Sequence, residues 1–338
     1  MKKRRISLYL SLALVLPACQ SLRLETPSKE ASLSFRVSEG VLDLQTKGTD
    51  APGTLTLISE EGRTLHLIAV EEALPMRLAA ATKAPKVYGS ADAQALDFAA
   101  WAYNMQGAAA PSAWELDPGT GNTPVQVKYS SSSASWLPLT EVPFNVSRTG
   151  YSARWFALGP WNASQDAALS ITLADGAAPA LTYTVPSGKV VGSRHWDLLA
   201  AASETRAVTV VTPVALQFHH VLTGIRFKRD AGLDISNLKI SGVYDKATLD
   251  MTKLPPGAAT DLWSGRTKMG GVFEMDMAEG DWVENVASKD ANILMMIPQW
   301  TPEGAKISAV IDGVTYTGDI SGHRWLPGRL VTYRIDED

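Results

Sequence analysis

The chain has 338 residues, a formal charge of −4, 45% apolar and 20% charged residues, a globular composition outside the disordered class. That acidic balance argues against nucleic acid, whose binding rests on phosphate neutralisation by Lys and Arg, and a single cysteine excludes an intramolecular disulfide. The length exceeds what one core usually organises, so two domains are expected.

The first residues, MKKRRISLYLSLALVLPACQSL, place four cations before an apolar run from Ile6 to Ala18, the layout of a secretory signal and too short to span a bilayer comfortably. Leu16-Pro17-Ala18-Cys19 resembles the bacterial lipobox, so the expectation is a cut between Ala18 and Cys19 and lipidation of the Cys19 thiol. Taking the four cations from a formal −4 leaves the mature chain near −8. Residues 19–30 then read as a tether to an outer-membrane lipid anchor.

Beyond the tether most patterning has period 2, as in half-buried strands. In chain order it runs through Leu33–Val37, Thr54–Ile58, Leu65–Ile68, Val125–Tyr129, Leu169–Leu173 and Leu181–Val185. It continues with Val208–Val210, Ile225–Phe227, Leu238–Ile240, Ile307–Val310 and Leu330–Tyr333. Many short strands with Gly and Pro turns between them mean an all-β sandwich or barrel. Two stretches are ambiguous. Ala95–Tyr103 fits a helix by its i, i+3, i+4, i+7 apolar spacing and a doubly buried strand by its alternation; Val70–Ala81 has helix-forming Glu71 and Glu72 but Pro75 in mid-run. Ser130–Ser135 reads as a flexible loop, and Ala201–Arg206 as a linker.

Catalytic chemistry is thin. His66, His195, His219, His220 and His323 are scattered, and adjacent His219 and His220 on a strand point to opposite faces. Asp245 with Asp250, or Asp276 with Asp281, could form a carboxylate pair but read as solvated turn residues. Asp117–Asn122 is a Gly-rich turn without the Lys-Ser/Thr of a phosphate cradle. The expectation is no enzyme, no cofactor and no metal. Trp101, Trp114, Trp136, Trp155 and Trp161 are core anchors or, alternatively, a glycan platform.

Phe218-His219-His220-Val221-Leu222-Thr223-Gly224-Ile225-Arg226-Phe227 resembles the F-x-H-x-L-x-x-I-x-F strand pair that opens the second domain of fimbrillin-like proteins of the Bacteroidetes, subunits of lipoprotein-derived adhesive fimbriae. Leu238–Tyr244, Leu294–Gln299 with its hydrophobic-Pro-Gln, and Trp325–Tyr333 with its W-x-x-G-x-x-Y follow in the family's order. Leu33–Phe35, Thr82–Ala84, Leu96–Tyr103, Arg154–Pro160 and Asp197–Ala200 are similar to first-half landmarks, and this likeness favours a strand at Leu96–Tyr103.

The resemblance implies two transthyretin-like Greek-key β-sandwich domains after the lipoprotein signal peptide, taken here as residues 31–203 and 204–338. It also implies a cell-surface fimbria whose subunits assemble by donor-strand exchange after a protease removes an N-terminal strand, with other fimbrial subunits as partners and a host or bacterial surface ligand. Were Thr54–Val70 the segment filling the first domain's groove, the expected cut follows Arg77, with Arg63 second and Lys83 third. The acidic Asp336-Glu337-Asp338 beyond the terminal strand favours an accessory or tip subunit that accepts a strand without donating one. The alternative is a monomeric glycan-binding surface lipoprotein.

Overall fold

The computed structural model describes residues 33–39, 54–74, 94–107, 110–118, 120, 122–140, 150–189, 195–207, 213–254, 262–283, 286–287 and 293–337. Ala18, Cys19, Arg77, Lys83 and Val208–Val210 lie outside them. Among the described residues the fold is all-β, with one helical turn at Trp161–Ser164 and 3-10 turns at Pro111–Ala113, Met251–Lys253 and Glu279–Asp281.

The ambiguous Ala-rich segment is a strand, Phe98–Gln106, with every residue but the last buried. Phe98, Ala100 and Ala102 join one hydrophobic core while Ala99, Trp101, Tyr103 and Met105 join another. A strand covered on both faces has no polar side, and this explains why its composition imitates a helix. Glu71 and Glu72 end a strand, Thr64–Ala73, and pair across it with Arg329 (3.4 Å) and Arg226 (2.7 Å).

Seven strands close into a circuit. Phe98–Gln106 pairs with Tyr151–Gly159, then come Leu199–Ala202, Val214–His220, Phe35–Glu39, Ser135–Pro138 and Val125–Ser130, which returns to Phe98–Gln106. Alternate side chains from all seven, among them Phe35, Phe98, Val127, Trp136, Trp155, Leu199 and Leu216, form one core. The segment read as a linker begins inside this circuit: Ala201 and Ala202 belong to the buried strand Leu199–Ala202. Ser203, also buried, accepts a hydrogen bond from the Trp155 N–H on its Oγ at 2.9 Å. Small residues here serve close packing rather than chain mobility. The serine run joins Val125–Ser130 to Ser135–Pro138 as a hairpin turn.

A second, larger sheet carries most of the later strands. Arg329–Asp336 lies in its middle, parallel to Thr223–Arg229 on one side and antiparallel to Thr64–Ala73 on the other. Thr64–Ala73 continues to Leu55–Ser59, which meets Val314–Asp319. The Leu55–Ala73 hairpin is thus paired with strands from the end of the chain, not with the seven-strand circuit, contrary to the expectation that it fills the first domain's groove. In return Val214–His220 belongs to the circuit, and a four-stranded sheet joins Ala180–Thr184 to Lys246–Asp250. Pairing therefore crosses residues 203–204 in both directions.

Candidate functional site

Phe35–Glu39, the first described strand, closes the seven-strand circuit between Val214–His220 and Ser135–Pro138. Its alternation aims Leu33, Phe35 and Val37 at the core of the circuit, while Arg36 and Ser38 are exposed. Phe35 is fully buried, edge-on to Phe98 (ring centroids 5.8 Å) and to Trp155 (5.3 Å). Burying such a ring contributes about 1.5–3 kcal/mol.

The two edges of this strand are held unequally. Five residues, Phe35 to Glu39, register in parallel with Val214 to Phe218, and the Val214 N–H donates to the Ser34 carbonyl at 2.9 Å. On the other edge only Phe35 is in register, opposite Trp136. Withdrawing the strand would uncover a slot lined by Phe98, Trp136, Trp155, Val214 and Leu216 and would leave the edges of Val214–His220 and Ser135–Pro138 with open main-chain groups. Such an edge is a template for an incoming strand.

The terminal strand is held differently. Arg329–Asp336 has eight residues in register with Thr64–Ala73 and six with Thr223–Arg229. Leu330, Tyr333 and Ile335 are fully buried, and the Tyr333 hydroxyl accepts from Trp325 Nε1 at 3.0 Å. Asp336 pairs with Arg334 Nε at 2.6 Å, and Arg334 Nη2 reaches Asp230 at 2.8 Å. This is a central strand with both edges occupied.

Of the candidate cut sites, Arg63 is described. It sits on the turn between Leu55–Ser59 and Thr64–Ala73, its side chain 63% exposed and paired with Glu61 at 3.0 Å. Its N–H donates to Ser59 Oγ at 3.0 Å, and its carbonyl accepts from the Ser59 N–H at 2.9 Å, so the main chain on both sides is tied into a tight turn.

The remaining candidates are dispersed. Asp245 is buried rather than solvated, accepting from the Met269 N–H (2.6 Å) and the Gly271 N–H (2.7 Å). Asp250 accepts from the Thr252 N–H and hydroxyl, Asp276 from Lys189 and Asn237, and Asp281 from the Ala278 N–H. Each carboxylate organises its own turn or strand edge. Asp117 is buried and accepts from Asn104 Nδ2 at 2.8 Å. His219 and His220 are both buried, and His220 Nδ1 lies 2.9 Å from Asp197. No group of three potential metal ligands occurs among the described residues. Trp101, Trp114, Trp136 and Trp155 are at most 7% exposed, so the glycan-platform alternative fails for these four, while Trp161 is partly buried against the core.

The sequence expectations looked to the following hairpin and did not single out Phe35–Glu39 as the strand that closes the circuit. The signal was available. Leu33-Phe35-Val37 is an isolated alternating strand, separated from the hairpin by a stretch, Gly40–Thr54, that contains three glycines and a proline.

Solved structures similar to this chain include a protein provisionally assigned to cell adhesion from Bacteroides ovatus, at 16% identity and TM-score 0.42, covering 69% of this chain and 80% of that one. Another is a fimbrial assembly protein from Parabacteroides distasonis, at 10% identity and TM-score 0.38, covering 80% of this chain and 90% of that one. No curated protein matches the sequence. Residues 117–336 match the profile of fimbrillin-like proteins, a span that includes Val214–His220, Thr223–Arg229, the Pro298-Gln299 turn and the terminal strand. The chain belongs to the fimbrillin-like family.

Proposed function

We propose that the protein is an accessory or tip subunit of a cell-surface fimbria, anchored through lipid on Cys19 until assembly and accepting a neighbouring subunit's strand in place of its own Phe35–Glu39. The observation that carries this reading is the seven-strand circuit closed by one N-terminal strand with a single register pair on one edge. A replacement strand with apolar residues at alternate positions would restore both the main-chain hydrogen bonds and the packing against Phe98 and Trp155. The paired edges of Arg329–Asp336 support acceptance without donation, because this strand cannot leave without stripping two neighbours. Two units remain our division of the chain, with the Leu55–Ala73 hairpin assigned to the second.

We rank the cuts by what each would separate from the rest of the chain. A cut after Arg77 separates the hairpin as well as Phe35–Glu39 from the rest of the chain; its Leu57 and Leu67 are fully buried. A cut after Arg63 splits the hairpin at a hydrogen-bonded turn. Lys47, the one Lys or Arg between Glu39 and Leu55, allows Phe35–Glu39 to depart alone. We therefore place the maturation cut after Lys47, ahead of Arg77 and Arg63.

The test is to treat the chain from Cys19 onward with a trypsin-like protease and follow assembly by denaturing electrophoresis without boiling. Higher-order ladders with a new N-terminus at Gly48 are expected when a donor subunit is present. Persistent monomer after release of the N-terminal peptide would refute strand acceptance, and assembled material beginning at Leu78 or Thr64 would refute the Lys47 assignment alone.

A further inference from the structure

Two short strands, Gln299–Trp300 and Arg324–Trp325, pair antiparallel with Gln299 opposite Trp325 and Trp300 opposite Arg324. Residues directly opposite share a face. Trp300 is 58% exposed, and the Arg324 guanidinium lies 5.5 Å from its ring centroid. An exposed tryptophan in a chain whose other large aromatics are mostly core residues requires an explanation. Beside it opens a cavity of about 390 Å³ whose polar and aromatic walls are Tyr244, Arg266, Gln299, Trp300, Arg324 and Trp325. That volume falls within the ~300–1,000 Å³ of small-molecule sites.

The walls are fixed by contacts behind them. The Gln299 Oε1 accepts from the Tyr244 N–H at 2.8 Å, while its Nε2 donates to the Tyr244 carbonyl at 3.0 Å and to the Ile297 carbonyl at 2.9 Å. Arg266 Nε donates to the Pro298 carbonyl at 2.9 Å, holding its guanidinium at the cavity. The Trp325 indole is anchored on Tyr333. Further along the same pair of segments, the Thr301 N–H donates to the His323 carbonyl at 2.7 Å. The cavity is thus preorganised, which lowers the ordering cost of binding.

Its charge points to the ligand. Two guanidinium groups and no carboxylate line the cavity, in a chain of formal charge −4. Guanidinium forks match carboxylates in a planar, bidentate way. The Trp300 indole, 58% exposed with the Arg324 guanidinium over its ring, offers an apolar surface of the size of one sugar ring.

We propose that this pocket binds an acidic saccharide, with Trp300 stacked on the C–H face of a pyranose and Arg324 pairing with its carboxylate. The inference is independent of strand exchange, because it concerns the uncut chain.

Calorimetric titration of the uncut chain with tetragalacturonate, its fully methyl-esterified counterpart, 3′-sialyllactose and tetraglutamate tests it. Saturable binding of at least one of the two carboxylated saccharides is expected. Trp300→Ala and Arg324→Gln should each weaken that binding about tenfold, the scale of one lost charge-assisted or stacking contact. Both residues are exposed, so both variants should keep the parent's melting temperature. Esterification should weaken tetragalacturonate binding comparably. The proposal is overturned if neither carboxylated saccharide binds, if binding is unchanged in both folded variants, if the ester binds as well as the acid, or if tetraglutamate binds as tightly as the saccharides.

Discussion

His195 shows how one residue can couple distant segments and give stability a pH dependence. Its Nδ1 accepts from the Met295 N–H at 3.1 Å, which leaves Nε2 to donate to the Pro186 carbonyl at 2.9 Å, so the neutral ring is the form that satisfies both partners. Burial is the main cause that lowers its pKa from 6.5 to about 4. Because the folded pKa lies below the unfolded value, this group's contribution is complete above about 6.5 and declines as pH falls through that window towards 4. There the unfolded chain takes up a proton that the folded one refuses. At ~1.4 kcal/mol per pKa unit the loss amounts to about 3 kcal/mol. His323, lowered in the same direction by burial, adds to the slope. His195→Gln should therefore flatten the decline of urea-unfolding free energy between pH 7 and pH 4.5, leaving the His323 part. An unchanged slope in that variant would remove His195 from the account. In the sequence this histidine was one of a scattered five, and nothing in its neighbourhood announced a partner at Met295.

At the scale of elements, alternation located the strands, because period 2 records which side chain faces a core. It could not tell which strands meet. Leu55–Ser59 and Thr64–Ala73 were legible as strands from Leu55, Leu57, Leu65 and Leu67, yet their partners are Val314–Asp319 and Arg329–Asp336, more than two hundred residues away. Ala201 and Ala202 looked like a linker because small residues suit both mobile chain and tight packing. The candidate site was less legible than the fold: the first strand was visible as Leu33–Val37, but its place in a closed circuit is a long-range fact. The importance of that strand can be measured. Phe35→Ala should cost about 3–5 kcal/mol in urea unfolding, the usual range for a fully buried aromatic ring. Ile58→Ser, at a position 53% exposed, should change stability by no more than about 0.5 kcal/mol. Comparable losses in the two variants would mean that Phe35 does not anchor the circuit.

For the whole molecule, the question is whether, under the proposed maturation, the Leu55–Ala73 hairpin would travel with Phe35–Glu39 or stay. Pairing on two sides makes it structural in the second sheet: its exit would bare Arg329–Asp336 and Val314–Asp319 together and uncover Leu57 and Leu67. Phe35–Glu39 closes a different group of strands, so the two events are separable in space. A covalent lock distinguishes them. Val70 and Thr332 stand directly opposite on adjacent antiparallel strands, where Cα atoms lie about 4.5–5.5 Å apart, within the span of a disulfide. In a Cys19→Ala background, Val70→Cys with Thr332→Cys would staple the hairpin to the terminal strand without touching Phe35–Glu39. If assembly needs only the first strand to leave, oxidised and reduced protein should, with a donor subunit present, enter higher-order species at the same rate after protease treatment and acquire the same N-terminus, Gly48. If the hairpin must depart, the oxidised protein should stall as monomer and resume assembly on reduction, and the cut would then belong after Arg77. Retention of the hairpin also leaves the Trp300 and Arg324 face supported by an intact second sheet, since Trp325 is tied to Tyr333 on the strand that the hairpin flanks. The reduced and oxidised proteins should accordingly bind acidic saccharide alike, before and after the cut.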